Sequence, residues 1–260
     1  MATLVLSFYV ANNAQVIIDQ FVMSGETKWM QNSGLVLLLP HGFDGQGPEH
    51  SSCRIERFLQ LVSDGEGDRK YQDMNVGVVY CSTPSNYYHA LRRQLKRDFR
   101  KPLIMPFSKL LLRHPMAKSD MDDLKGSFQP VIDGQGGDKV VLCSGQVYYL
   151  LQKAAELNEV SVNIVRVEEL NPLPVDALMS IIGDKEVLWC QEEPINMGAY
   201  HYVKEKMPVA IGVSARPLST SVATGIKRVH VMEEQNLVSK ALFGEERQVK
   251  KVVNGVPLFE

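Results

Sequence analysis

Two histidines bracket a glycine-rich stretch, Pro40-His41-Gly42-Phe43-Asp44-Gly45-Gln46-Gly47-Pro48-Glu49-His50. Imidazole is the side chain best suited to moving protons near neutral pH. Gly42, Gly45 and Gly47 let the backbone approach a ligand closely, and a helix opening at Ser51 would aim its N–H groups at an anion. His41 and His50 are therefore candidates to shuttle a proton or donate to a carboxylate. Gln46 and Glu49 stand where they could orient them. The alternative is a plain strand-to-helix connection carrying surface histidines. The stretch is not a Walker-type phosphate loop, because no Gly-Lys-Ser/Thr follows.

Other charged stretches admit plainer readings. Arg92-Arg93-Gln94-Leu95-Lys96-Arg97-Asp98-Phe99-Arg100-Lys101 carries six basic residues and one acid. Cations at the end of a helix are stabilised by its dipole, by roughly 0.3–1 kcal/mol each. That accounts for them as well as an anion or partner patch would. Glu192-Glu193, at the end of a strand and before Pro194, reads as structural or as part of an interface, and Glu168-Glu169 likewise. No Gly-x-Ser-x-Gly elbow and no His-Glu-x-x-His motif occurs. Gly134-Gln135-Gly136-Gly137 precedes a strand where a dinucleotide loop would follow one.

The elements that must hold these residues alternate. Asn13 to Met23 has helical spacing at Ala14, Ile17, Ile18, Phe21 and Val22. Leu35 to Leu39 is a buried strand with no alternation. Ser51 or Ser52 caps a helix whose apolar face is Ile55, Phe58, Leu59 and Val62. Strand Val76–Tyr80 is followed by a helix that Thr83-Pro84-Ser85 opens and that ends about Arg97, then by strand Pro102–Met105. Periodicity is lost over 114–138, which reads as a linker. Further strands follow at Val140–Cys143, Val162–Val167, Val187–Cys190 and Val209–Val213. Ser144-Gly145 turns the first of these into a helix ending near Asn158. Later helices are expected at Val175–Ile182, roughly Ile195–Lys206, and Gln235–Leu242. Strict alternation implies an α/β fold with a mainly parallel sheet.

Composition excludes several classes. Of 260 residues, 45% are hydrophobic and 22% charged, and the net charge is −2, so wholesale nucleic-acid binding is not indicated. The four cysteines (Cys53, Cys81, Cys143, Cys190) are far apart and read as buried thiols in a reducing compartment, with no disulfide or zinc framework. No apolar run is long enough to span a bilayer. Met1–Val10 is apolar without a basic segment before it. It is expected to be a strand, or sequence standing in for something longer upstream, and neither a secretory signal nor a transit peptide.

Several long stretches resemble one family. They are Asn13–Phe21 (NAQVIIDQF), Gly25–Trp29 (GETKW), the whole of Ser33–Gln60, Tyr88–Gln94 (YHALRRQ), Phe99–Ile104 (FRKPLI), Leu111–Pro115 (LLRHP) and Trp189–Gly198 (WCQEEPINMG). Together they are similar to the thiamine-diphosphate-dependent first component of 2-oxoglutarate dehydrogenase. The likeness runs from about Ala11 to about Leu242.

The resemblance implies a transketolase-like architecture. Residues 1–113 would be a partial pyrimidine-binding domain, 114–138 the linker, and 139–260 a transketolase C-terminal-like domain. It implies thiamine-dependent oxidative decarboxylation of 2-oxoglutarate and succinylation of a lipoyl group. His41 and His50 would lie near the reaction, with Gln46, Glu49 and Ser51 at the rim of the substrate and cofactor. The family's Thr-Pro-Lys-Ser run is Pro106-Phe107-Ser108-Lys109 here, and Lys109 joins Arg92 and Arg93 as a candidate anion or partner patch. The family's diphosphate and magnesium ligands belong to an N-terminal domain not among these residues. Where the family carries Glu-Ala-Gln-Phe-Gly-Asp with its activating glutamate, this chain has Val5–Val10. No metal ligand is expected in the chain, and alone it is expected to be inactive. Implied partners are a 2-oxo acid, the lipoyl-bearing succinyltransferase, and a second copy or a chain carrying the missing domains. The mitochondrial matrix is implied for a eukaryote and the cytoplasm for a bacterium. Two other readings stay open. One is a 2-oxoadipate dehydrogenase, which shares the Ser51–Phe58 pattern, although Gly45-Gln46-Gly47 favours oxoglutarate. The other is a non-catalytic dimerisation or assembly module.

Overall fold

Val36–Pro40 contains no charged or hydrogen-bonding side chain, and in the computed structural model it is a parallel strand paired on both edges. The structure describes residues 3–5, 13–43, 51–65, 67–134 and 136–260. The first sheet takes β1 (Thr3–Val5), β2 (Val36–Pro40), β3 (Gly77–Val79) and β4 (Leu103–Phe107) in the spatial order β1-β2-β4-β3, all parallel. The second sheet is built on β5 (Val131–Ile132), β6 (Lys139–Cys143) and β7 (Asn163–Val167). After β7 the chain crosses back, and β8 (Glu169–Asn171) pairs antiparallel with β3 of the first sheet. It then returns as β9 (Glu186–Pro194) and β10 (Gly212–Arg216), giving the order β10-β9-β6-β7-β5. The principal helices are α1 (Ile55–Gln60), α2 (Pro84–Lys96), α3 (Val147–Leu157), α4 (Val175–Ile182), α5 (Tyr200–Lys206) and α6 (Lys227–Phe243).

One apolar core runs through both sheets. Leu37, Leu39, Val78 and Ile104 of the first belong to the same packed cluster as Val140, Leu142, Val165 and Trp189 of the second. As a result the carboxyl ends of the two sets of parallel strands meet. Tyr80 N–H donates to the carbonyl of Glu168 at 2.8 Å, and Tyr149 Oη donates to that of Ser82 at 2.8 Å. Open α/β sheets put ligands at those strand ends.

Several sequence expectations need correction. The helix expected from Asn13 to Met23 is a short turn (Gln15–Ile17) followed by a π-helical segment, Ile18–Met23. Its wider turn takes the apolar residues off one face, so that Ile18 and Met23 are buried while Ile17 and Phe21 are exposed. Neither Ser51 nor Ser52 caps α1. Arg54, in the left-handed region at φ 56°, precedes it. The helix expected from Ile195 starts only at Tyr200, because β9 continues through Pro194 and a turn at Gly198 intervenes. Helix α6 begins eight residues before the expected Gln235. Val231 and Met232 on it are exposed, so the apolar stripe that marks a helix is blurred there. Residues 114–138 are not featureless, since they hold a 3-10 turn (Asp123–Lys125) and β5. A closing hairpin, β11 (Val249–Val253) and β12 (Val256–Phe259), turns on Asn254-Gly255, both at positive φ.

All four cysteines are buried. Among the described residues, no helix is long and apolar enough to cross a membrane.

Candidate active site

His41 follows β2 directly. Its backbone N–H still bonds to the carbonyl of Phe107 at 2.8 Å, as the next rung of the β2–β4 ladder would. The residue is 3% exposed. Both ring nitrogens are engaged: Cys53 N–H donates to Nδ1 at 3.1 Å, and Nε2 lies 2.7 Å from Glu193 Oε1. The ring packs edge-on against Tyr80, with centroids 5.4 Å apart. Tyr80 Oη in turn donates to the His41 carbonyl at 3.3 Å. Burial alone would lower the His41 pKa. The neighbouring Cys53 side chain and then the Glu193 carboxylate outweigh burial and hold the imidazole well above its ordinary value.

Glu193 arrives from the far sheet, at the end of β9, and Glu192 sits next to it. Gln146 Nε2, just before α3, donates to Glu192 Oε1 at 2.7 Å, and its Oε1 accepts from Ser108 Oγ at the end of β4. Glu192, Gln146 and Phe43 line a cavity of about 210 Å³. A second, more apolar cavity of about 410 Å³ lies against Leu38, Ser82, Phe107 and Ser108, at the ends of β2, β3 and β4. The cluster therefore joins an imidazole, a thiol, two carboxylates, an amide and a hydroxyl from the carboxyl ends of both sheets. It can hold, pass and accept protons beside two cavities.

Burial, offset by the Gln146 hydrogen bond and reinforced by Glu193, pushes the Glu192 carboxyl up to about 7. An acid whose native pKa lies above its unfolded value keeps a proton that the unfolded chain has already lost. Stability is then greatest below the unfolded value and falls as pH rises through the native one. Glu192→Gln removes that dependence. The stability gap between variant and parent is expected to widen in the variant's favour by on the order of 2 kcal/mol between pH 4 and pH 8. Urea titrations of both proteins at the two pH values measure it.

The other candidates named from sequence are placed as follows. The backbone carbonyl of Ser51 accepts from Gly42 N–H at 2.9 Å, so buried Ser51 closes the loop beside His41. His50, Gln46 and Glu49 lie outside the described residues. Arg93 turns inward, with Nη2 2.5 Å from Glu169 and its guanidinium 3.9 Å from the centre of the Phe128 ring. Arg92 and Lys109 are exposed on separate elements. Read from sequence, Glu192 and Glu193 are structural or part of an interface and Cys53 is a buried thiol, and Gln146 is not singled out. The available signal was that Glu192-Glu193 ends a strand of a parallel sheet, the edge where such folds put chemistry.

Comparison with known proteins agrees with this geometry. Residues 3–115 match the family model for the transketolase pyrimidine binding domain, and residues 118–242 match the one described as 2-oxoglutarate dehydrogenase C-terminal. The mitochondrial 2-oxoglutarate dehydrogenase of Schizosaccharomyces pombe is 42% identical over 89% of this chain and 26% of its own length. This chain belongs to the 2-oxoglutarate dehydrogenase E1 family. The 2-oxoglutarate dehydrogenase E1 component of Haemophilus influenzae is 44% identical over 89% of the chain and 26% of its own length. The 2-oxoadipate dehydrogenase complex component E1 of Xenopus laevis is 44% identical over 89% and 27%. The chain thus spans about a quarter of the length of these relatives. A solved structure described as a split gene transketolase, inactive beta4 tetramer, is similar with a TM-score of 0.63 and 15% identity. The match covers 95% of this chain and 76% of that one. The fold is therefore transketolase-like.

Proposed function

We propose that this chain forms one side of the active site of a 2-oxoglutarate dehydrogenase E1 component, and that it is inactive alone. The reading rests above all on 42–44% identity to such components across nearly nine tenths of the chain. When bound, thiamine diphosphate supplies the electron sink on which a 2-oxo acid loses carbon dioxide. The cluster offers proton-handling groups that fit the reacting end of such a cofactor. Among the described residues, no group of His, Cys, Asp or Glu is placed to hold a metal. The diphosphate and magnesium would be held by polypeptide beyond the described residues.

Within that site His41 holds a proton at Nε2 and is the general acid or base for the substrate. Glu192, on the wall of the 210 Å³ cavity, accepts or returns protons near neutral pH. Gln146 keeps the Glu192 carboxylate oriented. By the resemblance, His50, Gln46, Glu49 and Ser51 would contribute to substrate and cofactor binding, and the lipoyl group of a succinyltransferase component would receive the succinyl unit. Arg92 and Lys109 offer exposed charge to an anion or a partner. The site would work in the mitochondrial matrix of a eukaryote. Exposed Val16, Ile17, Trp29 and Met30 suit pairing with a second subunit.

The test is complementation. The isolated chain with thiamine diphosphate, magnesium and 2-oxoglutarate is expected to release no carbon dioxide above background. Co-expressed with the preceding three quarters of a relative, it is expected to restore turnover, and His41→Ala to lower that turnover on the order of 10²-fold. Turnover by the isolated chain would overturn the reading. Cys53 lies within the pattern shared with 2-oxoadipate dehydrogenases, so 2-oxoadipate is the competing substrate in the same assay.

A further inference from the structure

His41 carries the chemistry of the proposed site only if its ring is held in one orientation and one tautomer. Imidazole can place its proton on either nitrogen, and the hydrogen bond at one nitrogen decides the state of the other. Here Nδ1 faces an N–H donor, the Cys53 amide at 3.1 Å. Nδ1 must then present its lone pair, which leaves the ring proton on Nε2. That proton points at Glu193 Oε1, 2.7 Å away. Nothing on the first sheet supplies this carboxylate. It comes from the end of β9, which is paired on one edge by β6 and on the other by β10. Its neighbour Glu192 is tied down as well, because Arg216 Nε donates to the Glu192 carbonyl at 2.8 Å. The carboxylate is therefore presented from a rigid strand to a histidine that ends a strand of the other sheet.

We propose that Glu193 is a positioning residue that acts through His41, its carboxylate fixing the ring orientation across the junction of the two sheets and, together with the Cys53 amide at Nδ1, the Nε2–H tautomer. The proposal rests on the reading of His41 as the proton-handling residue of this site. The other groups around His41 do not replace Glu193. Tyr80 bonds only the His41 backbone carbonyl. The Cys53 thiol and amide come from the chain before α1. Glu56 on α1 is spent on Gly198 N–H at 3.1 Å, and Glu192 on Gln146. Phe43 offers only a ring edge, its centroid 6.3 Å from that of His41. Among the described residues, Glu193 is thus the carboxylate that reaches Nε2.

Two-bond ¹⁵N–¹H correlation spectra of the histidine side chains test this without any activity. In the unmodified chain, at pH above its titration, His41 is expected as the Nε2–H tautomer. In Glu193→Gln the ring keeps a partner but loses the charge, and its titration is expected to move down by about one pH unit or more. In Glu193→Ala the Cys53 amide still faces Nδ1 and keeps the proton on Nε2, so the titration is expected to fall at least as far and the ring signals to broaden as the orientation is lost. A wild-type Nδ1–H tautomer, or a titration unchanged in both variants, would overturn the proposal. The complemented enzyme separates it from the functional reading. Glu193→Gln should there lower kcat with little change in KM and shift the pH profile in the same direction as the NMR titration. Should the spectra change as expected while turnover does not, the positioning stands and the catalytic reading of His41 fails.

Discussion

Gly145→Ala is expected to destabilise the fold by more than about 3 kcal/mol, the sum of left-handed strain and forced repacking. Gly145 has φ +71°, a conformation that side chains adopt with strain. A Cβ there would also stand 2.1 Å from Cζ and 2.2 Å from Cε1 of Tyr80. That ring cannot swing aside. It is 3% exposed, its hydroxyl is bonded to the His41 carbonyl, and its face meets the edge of the His41 ring. The added methyl group would push the two sheets apart at the point where the site is assembled. Equilibrium unfolding in urea measures the loss. Gly225→Ala, with nothing within 4 Å and no positive φ, serves as the control and is expected to stay within about 1 kcal/mol of the parent.

Glu168→Ala is expected to cost about 3 kcal/mol or more, for a different reason. Glu168 is fully buried between β7 and β8. Its carboxylate accepts from Ser82 N–H at 2.9 Å, from Ser82 Oγ, and from Asn86 Nδ2 at 2.9 Å. Ser82 and Asn86 belong to the end of β3 and the first turn of α2, so one carboxylate ties the second sheet to the first. Burial pushes its carboxyl up, against those hydrogen bonds. Truncation leaves the donors unpaired in a dry interior, and that penalty exceeds the net worth of the bonds themselves. Thermal unfolding, followed together with amide protection at Ser82, reads it. A loss under about 1 kcal/mol would mean that water reaches the donors.

Much of the local structure was legible. Thr83-Pro84 announces α2, and Thr83 Oγ1 does accept from Asn86 N–H at 3.2 Å, with Pro84 in the first turn. The amphipathic run Val175–Ile182 has the bounds that its spacing predicts. Where reading failed, the local signal was weak or bent by tertiary contacts. A π-helical turn displaced the face of the 15–23 segment. The three-residue strand β8 is too short to show alternation, and it exists because β3 offers it an edge. The Asn-Gly turn of the last hairpin was present in the sequence as a signal that reading missed.

The sequence by itself determined the family, the alternating α/β order, and His41 at the end of a buried strand. Those depend on neighbours in the chain, on composition and on motif. Only the tertiary structure decided what His41 touches. Its carboxylate partner is 152 residues away and its thiol neighbour 12, and neither spacing carries any periodicity. It also decided that Arg93 is consumed by Glu169 and Phe128. The physical reason is the shared core: burying Leu39, Ile104, Leu142 and Trp189 in one cluster brings the carboxyl ends of both sheets together. Charged groups at those ends must then find one another, because burial strips most of their solvation.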